Sequence, residues 1–342
     1  MHRPLRLTID RSAIQANWRW LQDCAGVTAG AAVKANGYGL GARETVEALI
    51  EAGCRDFFVS SWAEAEQLGG LPEGVSVVVL HGVGPDDAEA SLRIAARPCL
   101  NSAEQVARWK EIAPGRACDV MIDTGMNRLG LRPTEIGLLD GLAIDTLHSH
   151  LARADEDSDM NGMQLERFRA VASAVPARRY SMANSAGICL GRDYSFDLVR
   201  PGLSLYGGVQ RAEAEGSIRQ VARVEAQVVQ RRMIPAGETC GYGATFHADE
   251  DTEAAILNIG YADGYLRGFS SRGSAFAGEY ALPVLGRVSM DLIAVGVDAA
   301  PQLKEGDWVE LDYDLPSAAM QSGLSQYELL TTLGSRFERR WV

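Results

Sequence analysis

Short apolar runs rich in strand-forming residues recur at 30–33, 57–59, 76–80, 97–100, 119–122, 145–149, 179–182 and 197–199. Between them lie stretches with the spacing of amphipathic helices, such as 44–52, 61–67, 103–112 and 164–174. A strand covered on both faces reads as a continuous apolar run, and strand alternating with helix is the pattern of a parallel sheet. Eight such units predict an α/β fold, a (β/α)8 barrel of the TIM type, over residues 11–218.

From about residue 219 the texture changes. Residues 221–228 alternate, and shorter runs follow at 254–259, 282–288, 292–297 and 308–311. Turn clusters such as Pro235-Ala236-Gly237 and Lys304-Glu305-Gly306-Asp307 divide them. This predicts a second, mostly antiparallel β domain over 219–342. The stretch 5–10 also alternates, as a strand lent to that domain would.

A barrel of this kind works at the C-terminal ends of its strands. The residues just past the runs are Lys34, His81, Asn101, Asp123 to Arg128, His150, Asn184 with Ser185, and Arg200 with Gly202. They are polar, as site-building residues should be.

Composition narrows the functions open to such a fold. A chain of 342 residues is long enough for one large core and a smaller one. A net charge of −12, with no basic stripe to offset it, opposes binding to nucleic acid or an anionic membrane surface. The six cysteines, at 24, 54, 99, 118, 189 and 240, stand singly, with neither metal-site spacing nor a disulfide framework. The opening residues contain no signal-peptide core and no stretch has transmembrane length, so a cytoplasmic location is expected. The acidic stretch from Asp155 to Asp159 resembles a calcium loop, but Met160 stands where its sharp turn demands glycine. No metal is expected.

Lys34 ends the apolar run Ala31-Ala32-Val33 and precedes Ala35-Asn36-Gly37-Tyr38-Gly39. A lysine where a buried strand meets a turn is poorly hydrated, which lowers its pKa toward that of a nucleophilic amine. An isolated lysine at a strand end is more often a surface residue; the string around Lys34 changes that balance. Gly37-Tyr38-Gly39-Leu40-Gly41-Ala42 also meets the loose dinucleotide fingerprint, but the next strand ends in Ser60-Ser61, without the acid that would hold a ribose.

Val33-Lys34-Ala35-Asn36-Gly37-Tyr38-Gly39 resembles the pyridoxal-phosphate lysine motif of the alanine racemases. Six further motifs follow in family order, and the resemblance runs from about residue 5 to 340. It implies that Lys34 is the Schiff-base lysine for pyridoxal 5'-phosphate and that Tyr38 reaches the phosphate. Asp123-Thr124-Gly125-Met126-Asn127-Arg128-Leu129-Gly130 matches a second signature, in which Arg128 grips the substrate carboxylate; by chemistry alone a salt bridge to Asp123 or Glu135 is the alternative. Many relatives carry a carbamylated lysine two residues before that aspartate. This chain has Met121 there, so Arg128 needs another anion or a chloride.

His148 and His150 share one strand face; Ser149-His150-Leu151-Ala152 points to His150 beside the cofactor ring, with His148 a core residue. Asn184-Ser185-Ala186-Gly187 lies at a helix start suited to a phosphate, and the amides of Gly202 and Leu203 extend that cradle. Arg200, by resemblance, faces the pyridine nitrogen; a guanidinium has no acceptor and leaves that nitrogen unprotonated. In the second domain Cys240-Gly241-Tyr242-Gly243-Ala244-Thr245 matches the catalytic tyrosine string. An ordinary phenol titrates near pH 10, so Tyr242 needs cationic neighbours, for which His150 and Arg128 are candidates. Gly260-Tyr261-Ala262-Asp263-Gly264 implies a substrate-entry tyrosine, Tyr261, and Arg287-Val288-Ser289-Met290-Asp291 places the Met290 amide and Asp291 by the substrate. Ser335 stands where relatives often carry a phosphate-binding tyrosine.

The resemblance implies racemisation of L- and D-alanine by two bases, Lys34 and Tyr242, on opposite faces of the substrate, supplying D-alanine for peptidoglycan. It also implies a homodimer with shared active sites, each tyrosine coming from the neighbouring subunit. A broader small-amino-acid racemase acting on serine would present the same ammonium and carboxylate to the site. A decarboxylase of the same architecture would want a carboxylate near the pyridine nitrogen and a cysteine on the opposite face, where Arg200 and Tyr242 stand. A non-catalytic pyridoxal-phosphate carrier would not need the domain that bears Tyr242.

Overall fold

The computed structural model describes residues 2–342. They fall into two units: Ile14–Leu205 with Val209–Arg219, and the residues up to Ala13 with Tyr206–Gly208 and Gln220–Val342.

The first unit is the parallel barrel. Strands Ala31–Ala32, Asp56–Val59, Ser76–Val79, Arg97–Leu100, Cys118–Met121, Ile144–His148 and Arg179–Ser181 pair in sequence order. The eighth, Leu198–Val199, pairs in parallel with Thr28–Ala29, which continues through Gly30 into the first strand. Gly30 N–H donates to Val199 O and Ala32 N–H to Pro201 O, both at 2.9 Å; on the other side Asp197 N–H reaches Tyr180 O at 3.1 Å and Arg200 N–H reaches Ala183 O at 2.9 Å. These bonds close the ring. A Cβ at Gly30 would come within 2.7 Å of the Phe58 ring and 2.8 Å of Asp56 O, so the strand at the seam must be bare there.

Inside the ring, charged residues gather toward the N-terminal ends of the strands. Arg179 forks onto Asp56 at 2.7 and 3.0 Å and reaches Asp145 at 3.2 Å. Arg97 bonds Asp119 at 2.9 Å and lies 3.2 Å from Asp145. Conservative apolar fill would serve a barrel floor equally well, so these pairs matter chiefly because an orphaned member would be a buried, unpaired charge.

The second unit is antiparallel. Ala222–Ile234 pairs with Thr252–Leu257, then the order runs through Ile293–Gly296, Tyr280–Leu285, Ser274–Ala277 and Trp308–Leu311 back to Ala222–Ile234, closing a six-stranded ring. One strand serves both ends of that circuit because its register shifts between Val228 and Gln230. Leu5–Ile9 adds antiparallel to Ala222–Ala226, and Glu338–Trp341 adds in parallel to Leu5–Ile9.

Several elements differ from the sequence pattern. The helix expected at 164–174 starts earlier, as Asp159–Ala174, because Ser158 caps it and Asp159 sits in its first turn, where a carboxylate suits the helix dipole. Asp157, in the acidic stretch, pairs with Arg211 at 2.7 Å on the surface. Two helices, Leu315–Ser322 and Gln326–Thr331, interrupt a region that reads as all strand and turn. Among the described residues no helix is long and apolar enough to cross a membrane, and no cluster of His, Cys, Asp or Glu is placed to hold a metal.

Arg179→Met should cost about 3–5 kcal/mol in urea unfolding, because it strands the buried carboxylate of Asp56. Arg178→Ala, which removes a largely exposed partner of Asp145, should cost less than about 1 kcal/mol in the same measurement.

Candidate active site

Immediately after Lys34 the backbone turns left-handed for four residues, with φ of 52° at Ala35, 54° at Asn36, 61° at Gly37 and 54° at Tyr38. Positive φ costs an L-residue about 1–2 kcal/mol, so the three non-glycine residues among these four must be held there. The restraints are visible: Gly37 N–H donates to Val33 O, Gly39 N–H to Ala35 O and Gly41 N–H to Asn36 O, each at 2.9 Å. Asn36 Oδ1 accepts from Ala42 N–H at 3.1 Å and so ties the turn to the following helix, Ala42–Ala52. The turn buries Tyr38 and leaves Lys34 half-buried. Burial, followed by the Arg128 guanidinium, holds the Lys34 ammonium below the usual lysine range, while Glu64 opposes that shift.

The Tyr38 hydroxyl lies against Gly202. A Cβ on Gly202 would fall 2.2 Å from it, so the absence of a side chain there makes the contact possible. Ser185 stitches the same corner, its Oγ accepting from Gly202 N–H at 2.9 Å and Ser204 N–H at 3.2 Å. Ser185 thus holds the Gly202 amide, while the Leu203 N–H has no partner among the described residues. The side-chain oxygen of Asn184 accepts from Gly187 N–H at 2.8 Å as the cap of Ser185–Cys189.

Arg200 is buried, and its guanidinium donates to Ser181 Oγ and, at 2.7 Å, to Ser149 O. Burial pushes its pKa down to about 10. His150 feels burial first and then three cations, Arg200, Arg128 and Lys34, which together push it down to about 3. At that value it is neutral near pH 7. His148 is a fully buried core residue, bonded through Nε2 to Asp119 Oδ2 at 2.9 Å, while its Nδ1 has no partner among the described residues.

Arg128 rides on a loop that Asp123 organises: Asp123 Oδ1 accepts from Gly125 N–H at 2.8 Å and from Asn127 N–H at 3.1 Å. The loop rejoins its strand where Leu131 bridges Ile122. Arg128 itself is exposed and pairs with neither Asp123 nor Glu135. Met121 is buried beneath this loop's origin and brings no charge. His81 is exposed, and Asn101 spends its amide on Leu80 O and Cys99 O, so neither joins the site residues.

In the β unit Tyr242 sits on the short helix Tyr242–Ala244 and is 71% exposed. Tyr261 N–H donates to Ser289 O and Ala262 N–H to Met290 O, both at 3.0 Å, so the Tyr261 and Met290 loops are one assembly. Arg267 stands over the Tyr261 ring at 5.3 Å. Met290 is exposed, and so is Ser335.

Sequence reasoning missed the residue that fastens these loops. Arg336 forks onto the buried Asp263 at 2.6 and 2.9 Å and reaches Asp291 at 2.8 Å. Asp263 also accepts from Gly260 N–H at 3.0 Å. Arg336 lies in the charged string Arg336-Phe337-Glu338-Arg339-Arg340, where nothing sets it apart. In the barrel Gln164 was read only as a helix residue; it is buried and joins Thr124 Oγ1, His150 O and Ala152 N–H.

A parallel barrel whose mouth gathers a depressed lysine, a buried arginine and a serine-lined corner suits an enzyme that holds an anionic, carbonyl-bearing cofactor. Comparison with known proteins is specific. Residues 9–210 match the family model for the alanine racemase N-terminal domain and residues 221–341 that for the C-terminal domain. A protein named catabolic alanine racemase from Agrobacterium fabrum is 41% identical, over 98% of this chain and 92% of its own. The alanine racemase of Methylobacterium nodulans is 40% identical, covering 98% and 96%. Among solved structures, alanine racemase from Bartonella henselae with covalently bound pyridoxal phosphate superposes with a TM-score of 0.93 at 36% identity, covering 99% of each chain. The biosynthetic alanine racemase of Pseudomonas aeruginosa gives 0.91 at 31%, covering all of both chains. The chain belongs to the alanine racemase family.

Arg336→Met should destabilise the β unit by about 1–3 kcal/mol in denaturant titration, because Asp263 loses its partner. Adding Asp263→Asn should recover part of that loss, since it removes the unpaired charge; an additive double mutant would contradict the clamp.

Proposed function

We propose that this chain uses pyridoxal 5'-phosphate to interconvert L- and D-alanine by a two-base mechanism. Membership of the family supports the reaction. The observation that carries the mechanism is the lysine held below its usual pKa in a mouth that also contains Tyr38, Ser185, Gly202, Leu203 and Arg200.

These residues fit the cofactor. The Tyr38 hydroxyl over a side-chain-free Gly202, Ser185 beneath it and the unpaired Leu203 amide form a corner suited to a phosphate. Lys34 has an amine that is easily made neutral, as attachment to an aldehyde requires. Arg200 offers only donors, and its buried forks to Ser149 and Ser181 fix it in place, so no protein acid protonates a ring nitrogen there. When bound, the cofactor draws electron density from the substrate Cα and acidifies its hydrogen.

The remaining work falls to side chains. Arg128, with no carboxylate partner among the described residues, receives the substrate carboxylate, and Tyr261, Met290 and Asp291 are the further substrate residues that the family resemblance implies. Neutral His150 would help hold the cofactor without adding charge. Lys34 Nζ holds the Cα proton on one side and Tyr242 Oη on the other. Two groups are required because a single base returns the proton to the side from which it came. Tyr242 reaches the site from a neighbouring subunit, so the working species is a homodimer with two shared sites. Its setting is cytoplasmic, and its product serves peptidoglycan synthesis. Alanine is the substrate proposed; serine differs by one hydroxyl, and its relative turnover measures how strict the site is.

Purified protein should take up pyridoxal 5'-phosphate with an absorbance band that Lys34→Ala loses, along with racemisation. Tyr242→Phe should slow racemisation at least about 100-fold, equally in both directions because the equilibrium constant is one. It should also split solvent-deuterium exchange, which persists at Cα for one enantiomer and fails for the other. Equal exchange of both enantiomers in that variant would reject the two-base assignment. Gly202→Ala should weaken cofactor binding by about tenfold, since forcing a methyl against the Tyr38 hydroxyl costs about 1–3 kcal/mol.

A further inference from the structure

Two backbone amides from different barrel loops converge on one carboxylate. Ala35 N–H donates to Glu64 Oε1 at 2.9 Å, and Ser60 N–H donates to Glu64 Oε2 at 2.6 Å. Ala35 is the first left-handed residue and directly follows Lys34; Ser60 directly follows the second barrel strand. Glu64 lies in the first turn of the helix Trp62–Leu68, and its own N–H donates to the capping Ser61 Oγ at 3.3 Å.

Helix capping alone does not account for this arrangement. A capping-box glutamate returns to the backbone amide of the capping residue itself. Glu64 instead reaches the residue before the cap and gives its other oxygen to the lysine turn. The charged and titratable groups acting on Lys34 are Arg128, the neutral His150 and Glu64, so Glu64 supplies the negative charge among them.

We propose that Glu64 is a positioning residue for Lys34: its carboxylate pins the left-handed turn at its first residue and places a fixed anion beside the lysine amine. The inference rests on the function proposed above and extends it to a residue outside the cofactor and substrate contacts. The turn cannot relax toward ordinary backbone without releasing Ala35 from Glu64. A turn so pinned keeps the Lys34 amine and the Tyr38 hydroxyl, four residues apart, in constant relation.

Glu64→Gln tests this. A carboxamide has one accepting atom, so one of the two amides must lose its partner. Titration of the cofactor-stripped variant with pyridoxal 5'-phosphate should show about tenfold weaker binding than wild type. The pH midpoint for formation of the lysine-attached band should also fall, because an amine that loses a neighbouring anion becomes neutral at lower pH. Ser61→Ala removes the cap of the same helix and keeps both Glu64 contacts, so it should leave both readouts within about twofold of wild type. Wild-type behaviour of Glu64→Gln in both readouts, or loss of affinity in Ser61→Ala equal to that in Glu64→Gln, overturns the proposal. A wild-type protein that takes up no pyridoxal 5'-phosphate overturns the functional reading itself and this inference with it.

Discussion

The seam between the last and first barrel strands is the constraint on which the site depends. Only when Gly30 and Ala32 bond to Val199 and Pro201 does the chain around Gly202 meet the turn after Lys34. Residues separated by more than 160 positions in sequence then share one corner, and Gly30 is what permits it. The opposite end of the barrel resists in a different currency: Arg179, Asp56, Asp145, Arg97 and Asp119 interlock across strands two, four, five, six and seven. A hydrogen-bonded seam and a charged floor together make the ring a rigid base for the loops above it.

Electrostatics at the mouth run against the charge of the chain as a whole. A protein with a net charge of −12 gathers Lys34, Arg128 and Arg200 in one place, around a histidine that burial and then these cations keep neutral. Burial depresses the lysine first and repulsion from Arg128 adds to it, which is the setting in which a lysine becomes a usable amine. An incoming phosphate or carboxylate relieves that repulsion, so binding and the readiness of the lysine are physically coupled.

The barrel was legible in the sequence because each strand is buried on both faces and therefore reads as a continuous apolar run. The β unit was partly legible. Ser274–Ala277 is only four residues long, with Phe276 its one large apolar side chain, and Glu338–Trp341 is charged because it sits at the edge of the sheet, so neither carries a strong hydrophobic signature. The site divides along a similar line. Lys34, Arg200 and Tyr242 stand in strings long enough to recognise, whereas Arg336, Gln164 and Glu64 act through single contacts made by folding, at positions where an ordinary surface or helix residue would look the same. The neutral state of His150 was also out of reach, because it follows from burial and then from three cations that come from separate loops.

The placement of Leu5–Ile9 bears on how this molecule comes into being on the ribosome. Its two sheet neighbours, Ala222–Ala226 and Glu338–Trp341, are made long after it, while the whole barrel emerges in between. During that interval an alternating apolar segment has no native mate and is available for pairing with other nascent copies. Synthesis speed and holdase chaperones therefore bear on the yield of this polypeptide more than its final stability suggests.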